Sequence, residues 1–170
     1  MHSAAPDAAI STLPEGLFSG RTEFAALLRQ ALSGAARQGW REIIWCDPDF
    51  ADWPLGERAV AQALNDWAQS GRKLTLLAAR YDAVLRQHAR FVGWRRTWSH
   101  LVECRKGGAV SAGSLPSAFW SPEWMFERLD VPRSIGLAST DAVRRRALKE
   151  RLNEHLAGSS AGFPATVLGL

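Results

Sequence analysis

Between residues 21 and 104 a helical pattern gives way to a short apolar run three times over, and that alternation restricts the chain to folds in which helices pack on a sheet with parallel strands. Phe24, Leu27, Leu28, Ala31 and Leu32 recur at helical spacing, which predicts a helix over 21–38 closed by Gly39. Ile43, Ile44 and Trp45 then read as a buried strand. A second helix is predicted over about 56–70, with Val60, Leu64 and Trp67 on one face and Gly71 as its stop. The run Lys73 to Ala79 is the next strand. Asp82 is placed to cap a third helix whose Val84, Leu85, His88, Phe91 and Val92 share a face, before Leu101 to Cys104 resumes strand character.

The pattern then changes. Residues 107–116 are Gly- and Ser-rich loop, Ser117 to Trp120 and Glu123 to Arg128 read as short strands around Ser121-Pro122, and Ser134 to Ala138 adds another. These late strands are predicted antiparallel, because their connections are too short for crossovers. Thr140 then caps a last helix carrying Val143, Ala147, Leu148, Leu152 and Leu156. The expected fold class is α/β, with a mixed, largely parallel sheet and helices on both faces.

A chain of 170 residues is enough for one domain that buries roughly 70% of its unfolded surface without staples. The organisation predicted is a flexible segment over 1–14, a single α/β domain over 15–157, and an apolar tail over 158–170 docked on the body or on a partner. That tail carries no charged side chain, while Phe163, Val167, Leu168 and Leu170 offer apolar surface to bury. Cys46 and Cys104 each fall inside a predicted buried strand, so they read as small apolar side chains rather than a disulfide framework. No stretch is apolar enough to span a bilayer and no cationic, apolar leader opens the chain, so the expected location is cytoplasmic, with no membrane partner. Of 21 basic residues only Lys73, Lys106 and Lys149 are lysine, a bias that suits GC-rich bacterial coding.

Two constellations are candidates for function. The first is the strand end Ile43-Ile-Trp-Cys-Asp-Pro-Asp-Phe-Ala-Asp-Trp53. In open α/β sheets ligands bind beyond the carboxyl ends of strands, where Asp47, Asp49, Asp52 and Trp53 would stand. Asp47-Pro48-Asp49 is equally a good turn sequence. The second is a cationic stripe, Arg86, Arg90, Arg95, Arg96, Arg105 and Lys106, interleaved with Phe91, Trp94 and Trp98. Arginine pairs bidentately with phosphate and aromatic rings stack on bases, so the stripe is a candidate anion or nucleic-acid site; it also fits a helix with a wet arginine face. The eight tryptophans suit a packed core, although Trp53, Trp120 and Trp124 lie near strand ends where a ligand or protein partner would meet them. No metal-ligand spacing, nucleophile elbow or phosphate-binding glycine loop is evident, so no metal, cofactor or catalytic residue is assigned.

From about residue 20 to 157, the opening helix, the Ile43 to Asp49 strand end, the Arg72-Lys-Leu-Thr-Leu-Leu-Ala strand and the segment from His88 into Leu101-Val-Glu-Cys-Arg105 resemble one repeat of the phospholipase D-like fold. Catalytic members carry His-x-Lys followed four residues later by Asp, with the His attacking phosphorus and the Lys holding phosphate. Here the residues two before Lys73, Lys106 and Lys149 are Gly71, Cys104 and Ala147, and the expected motif strand reads Leu115-Pro-Ser-Ala-Phe-Trp120. The resemblance therefore implies a non-catalytic binding or interaction module, and a lone repeat implies a homodimer. The Asp47-x-Asp49 spacing also resembles the nucleophile motif of haloacid-dehalogenase-type phosphatases, which keeps a metal-dependent phosphate-ester hydrolase as an alternative, though the later acidic pair is missing. A nucleic-acid or polyanion binder through the Arg86 to Lys106 stripe is the other.

Overall fold

The computed structural model describes residues 13–111 and 113–164. The eight strands are β1 (Gly16–Ser19), β2 (Glu42–Cys46), β3 (Lys73–Ala78), β4 (Val102–Lys106), β5 (Ser117–Trp120), β6 (Met125–Asp130), β7 (Ile135–Ser139) and β8 (Ser160–Ala161). The helices are α1 (Arg21–Gln38), α2 (Arg58–Trp67), α3 (Asp82–Gln87), α4 (Ala89–Thr97) and α5 (Ala142–Ala157). The strands form one open sheet in the order β1-β7-β6-β5-β2-β3-β4-β8.

The α/β class holds, and the sheet is mixed with a helix layer on each side. Its parallel part is smaller than predicted: β2-β3 and β3-β4 are parallel, whereas β1-β7, β7-β6, β6-β5, β5-β2 and β4-β8 are antiparallel. The reason is connection length, since β2, β3 and β4 follow one another through helical crossovers whereas β5, β6 and β7 turn back directly on one another. The two-residue β8 and the glycine-flanked β1, whose pairing partners lie far away in sequence, were not predicted.

Alternation along the strands divides the core. One face of the sheet presents Ile43, Trp45, Leu74, Leu76, Val102 and Phe126 to Phe24, Leu28, Leu64, Phe91 and Trp94 of the first four helices. The other presents Ile44, Cys46, Leu77 and Ala118 to Leu148 and Leu152 of α5. Gly39 ends α1 in the left-handed region at φ 70° and its N–H donates to Ala35 O, as its lack of a Cβ permits. The third predicted helix is instead two, broken at His88, whose φ of −121° and ψ of 57° interrupt the ladder. The break holds His88 Nε2 2.8 Å from Phe50 O and leaves Leu85 half exposed rather than on the core face. Asp141, not Thr140, caps α5 by accepting from Arg144 N, Thr140 instead donates to Glu15 Oε1, and Val143 is exposed. Asp82 makes no capping bond to α3.

Candidate functional site

At the carboxyl end of β2 the chain turns through Asp47-Pro48-Asp49-Phe50. Asp47 Oδ2 accepts from Phe50 N at 2.8 Å and Asp49 N at 3.2 Å, which closes the turn and holds Phe50 at φ 58°. Pro48 O accepts from Ala79 N and Arg80 N, joining this turn to the end of β3. Asp47 itself is only 1% exposed, so its carboxylate requires a counter-charge.

That counter-charge is Arg128, on β6. Phe126 and Arg128 are two apart on a strand and so share a face, which carries the arginine inward beneath Phe24, its guanidinium carbon 4.2 Å from the ring centroid. Nη2 donates to Asp47 Oδ1 at 2.9 Å and Asp52 Oδ1 at 3.0 Å, Nη1 to Asp52 Oδ2 at 2.6 Å and Ser134 Oγ at 3.1 Å, and Nε to Ser117 Oγ at 2.9 Å. The grip on Asp52 is bidentate, the strongest geometry for such a pair. Burial acts to lower the Arg128 pKa, but the bonds and charges of Asp52 and Asp47 outweigh it and raise the value. Next to this cluster, burial pushes the Cys46 thiol well up, and the Asp47 charge adds to the effect.

The four residues predicted at this strand end therefore have three different fates. Asp47 and Asp52 meet on Arg128. Asp49 lies nearer the surface, with Oδ1 accepting from Ala51 N and Oδ2 3.9 Å from Arg80. Trp53 is a buried core residue, its ring centroid 4.8 Å from that of Phe50 and 5.5 Å from that of Trp45. Trp120 and Trp124 are likewise buried, their indole N–H groups donating to Arg145 O and Pro14 O. Both Asp47 oxygens are occupied, and its side chain has no solvent-facing side. Among the described residues no three His, Cys, Asp or Glu side chains are grouped to hold a metal.

The cationic stripe is continuous in sequence but not in space, a correction to the single patch expected. Arg86, Arg90 and Arg96 are exposed on α3 and α4, with Arg90 Nη1 donating to Gly56 O at 2.7 Å. Arg95 is buried and donates to Phe163 O at 3.0 Å. Arg105 lies on the opposite face of the sheet, donating to Ser159 through Nε and Nη2, and Lys106 is exposed at the end of β4. Strand alternation explains the split: Cys104 faces α4, so Arg105 faces away.

Sequence reasoning missed two groups. Arg128 had a usable signal, because an arginine spaced two from Phe126 on a predicted strand must point into the core and find acids. The second is Ser111 Oγ, 2.6 Å from His155 Nδ1 where the loop after β4 meets α5; no acidic side chain among the described residues bonds that imidazole. No sequence spacing links those two positions. The tail also has structure as far as Pro164: Ser160 and Ala161 pair with Lys106 and Arg105, and the Phe163 ring stacks on Tyr81 at 5.4 Å. Val167, Leu168 and Leu170 lie outside the described residues.

The molecule thus belongs to the class of mixed α/β proteins built on one open sheet, with a closed charge cluster at the end of a central strand. Among solved structures it is similar to TrmBL2, an archaeal chromatin protein described as showing a novel mode of DNA binding, with a TM-score of 0.63 at 14% identity over 92% of this chain. It is also similar to NucT from Helicobacter pylori, with a TM-score of 0.60 at 13% identity, covering 88% of this chain and 99% of that one. The chain spans 58% of the length of the TrmBL2 chain. No family model and no curated protein matches it.

Proposed function

We propose that this chain is a non-catalytic module of the phospholipase D-like kind, whose role is to bind a polyanion rather than to turn over a phosphate ester. The observation that carries this reading is the Arg128 cluster: the carboxylates best placed for chemistry hold an internal arginine, with Arg128 side-chain exposure of 0%. A site that holds its own charges at 2.6–3.0 Å has no unpaired oxygen on Asp47 or Asp52 to offer a substrate. Likeness to TrmBL2, whose description speaks of DNA binding, supports nucleic acid as the polyanion. The exposed Arg86, Arg90, Arg96 and Lys106 are the side chains that would meet phosphates. The arginine bias and the free buried thiols support a bacterial cytoplasmic protein, which we propose acts as a homodimer or beside a protein partner.

Retention of duplex and single-stranded oligonucleotides, measured against salt, tests the reading. Binding should weaken with a log-log slope of about 0.9 per neutralised phosphate on duplex DNA. Replacing Arg86, Arg90 and Arg96 together with Glu should abolish it. In the same preparations generic phosphodiesters with Mg²⁺ or Mn²⁺ should show no turnover. Hydrolysis lost on Asp47→Asn, or retention indifferent to salt and to charge reversal, would overturn the proposal.

A further inference from the structure

On α4, Phe91, Trp94 and Arg95 occupy one buried stripe, at the i, i+3 and i+4 spacing that sets side chains on a common helix face. Arg95 thus stands where the pattern calls for an apolar residue, and it is 6% exposed. Among the described residues its hydrogen-bond acceptor is neutral, the Phe163 carbonyl at 3.0 Å, and Nε and Nη1 find no hydrogen-bond partner there. Phe163 also lays its ring 5.7 Å from the guanidinium carbon.

The contrast with Arg128 is sharp. Both guanidinium groups are buried, but Arg128 has two carboxylates, whereas no carboxylate among the described residues pairs with Arg95. The neighbouring Cys104 thiol supplies no charge at neutral pH, since burial pushes it up to about 11 against the opposing pull of Arg95. Glu103, next along β4, points to the other face of the sheet and is engaged by Lys73 at 3.1 Å and Arg105 at 3.6 Å. A buried cation without an anion is costly, and proteins ordinarily pair such groups.

Arg95 also lines an open cavity of about 480 Å³ between the outer edge of β4, from Val102 through Glu103 and Cys104 to Arg105, and the strap from Ala161 to Pro164 that carries β8. This volume suits a small organic ligand; its wall combines the apolar Val102 and Phe163 with three charged residues, of which Glu103 and Arg105 pair with each other and Arg95 does not share in that pair. The strap over it is anchored at its start by Arg105 on Ser159 and along β8 by its pairing with β4, with Gly162 N donating to Cys104 O; beyond Gly162 it is held by Phe163, through its ring on Tyr81 and its carbonyl on Arg95.

We propose that this cavity binds a small oxyanion, a phosphoryl or carboxylate group carried on a compact apolar body, with Arg95 as the residue that holds the charge. The Phe163 carbonyl occupies the place an anionic oxygen takes, and the Phe163-Pro164 end of the strap, beyond its last backbone bond to β4, shifts to admit it. The site does not rest on the polyanion reading above, which concerns exposed arginines and needs neither Arg95 nor the cavity.

Calorimetric titration of the full chain at constant ionic strength, using inorganic phosphate, acetate, phenyl phosphate and benzoate, provides the test. Saturable binding is expected, with phenyl phosphate tighter than inorganic phosphate if the source is phosphoryl, and benzoate tighter than acetate if it is carboxylate. Arg95→Met should weaken binding roughly tenfold or more, the loss that follows from removing charge-assisted hydrogen bonds, whereas Arg90→Gln and Arg96→Gln should leave it unchanged. If Arg95→Met does not fold, the NMR signal of Arg95 Nε–H in the unaltered protein decides, and it should shift on titration with saturation at the calorimetric Kd. No binding by any of the four probes, equal binding by Arg95→Met, loss of binding in the exposed-arginine variants, or an Arg95 signal indifferent to ligand would each overturn the proposal.

Discussion

Replacing Arg128 with Met isolates what the charge cluster contributes. Methionine preserves much of the stem packing against Phe24 while removing every donor of the guanidinium, which reaches Asp47, Asp52, Ser117 and Ser134. The two carboxylates respond differently. Asp52 has a side chain 26% exposed and can recover water, but that of Asp47 is 2% exposed and keeps only the N–H groups of Phe50 and Asp49. Stranding one buried charge costs about 3–5 kcal/mol, which for a chain of this size lowers the melting temperature by about 6–20 °C. Urea unfolding followed by circular dichroism measures the loss. A cycle with Asp47→Asn then assigns it, because asparagine can still accept from Phe50 N and carries no charge to strand. The double variant should be more stable than the sum of the single losses predicts, with a coupling of about 1–3 kcal/mol. Coupling within about 0.5 kcal/mol of zero would refute the view that Arg128 acts by neutralising Asp47.

Gly136→Ala should destabilise severely, by about 3 kcal/mol or more, because a Cβ there would stand 2.2 Å from Glu127 O and 2.6 Å from Phe18 Cζ; a melting temperature within a degree or two of the parent would contradict the packing of β7 on β6. Alkali should also unfold the protein progressively. The Cys104 thiol ionises near 9.0 when free and at about 11 when folded, and the buried Tyr81 hydroxyl is raised in the same direction. A folded pKa above the unfolded one gives stability that is complete below the unfolded value and lost as pH rises through the window between them. Thermal melts from pH 8 to pH 11 should therefore fall from about pH 9 upward, and Cys104→Ala should flatten part of that decline.

The elements carried by local pattern were legible. Phe24 to Leu32 at helical spacing with Gly39 behind them marked α1 almost to the residue, and Ile43 to Trp45 marked β2. What was not legible depends on contacts far apart in sequence. Gly16–Ser19 and Ser160–Ala161 are too short and too poor in apolar residues to read as strands, and become so only beside β7 and β4. The two arginines that matter most in the interior, Arg95 and Arg128, look like surface residues in any composition count. Their positions on apolar faces, one beside Trp94 and the other two residues from Phe126, were the physical hint. The six cations from Arg86 to Lys106 misled for the opposite reason, since nearness along a chain that crosses a helix and a strand does not place side chains on one surface.

The strand order has a consequence for how the molecule gains and loses its structure. Strands β2, β3 and β4 form one contiguous block of the sheet and β5, β6 and β7 another, and their strands pair with each other only where β2 meets β5. Neither block supplies its own outer margin: the segment preceding the first block crosses over to cover β7, and the segment following the second crosses back to cover β4. Each half is laced shut by a piece of chain that belongs, in sequence, to the other. A cut in the loop between residues 107 and 116 would leave both fragments with a bare edge, and melting of one half would release the strand that closes its neighbour. Such interlacing is expected to couple the two halves into one unfolding event and to slow folding, because the last pairings to form are those between the most distant parts of the chain.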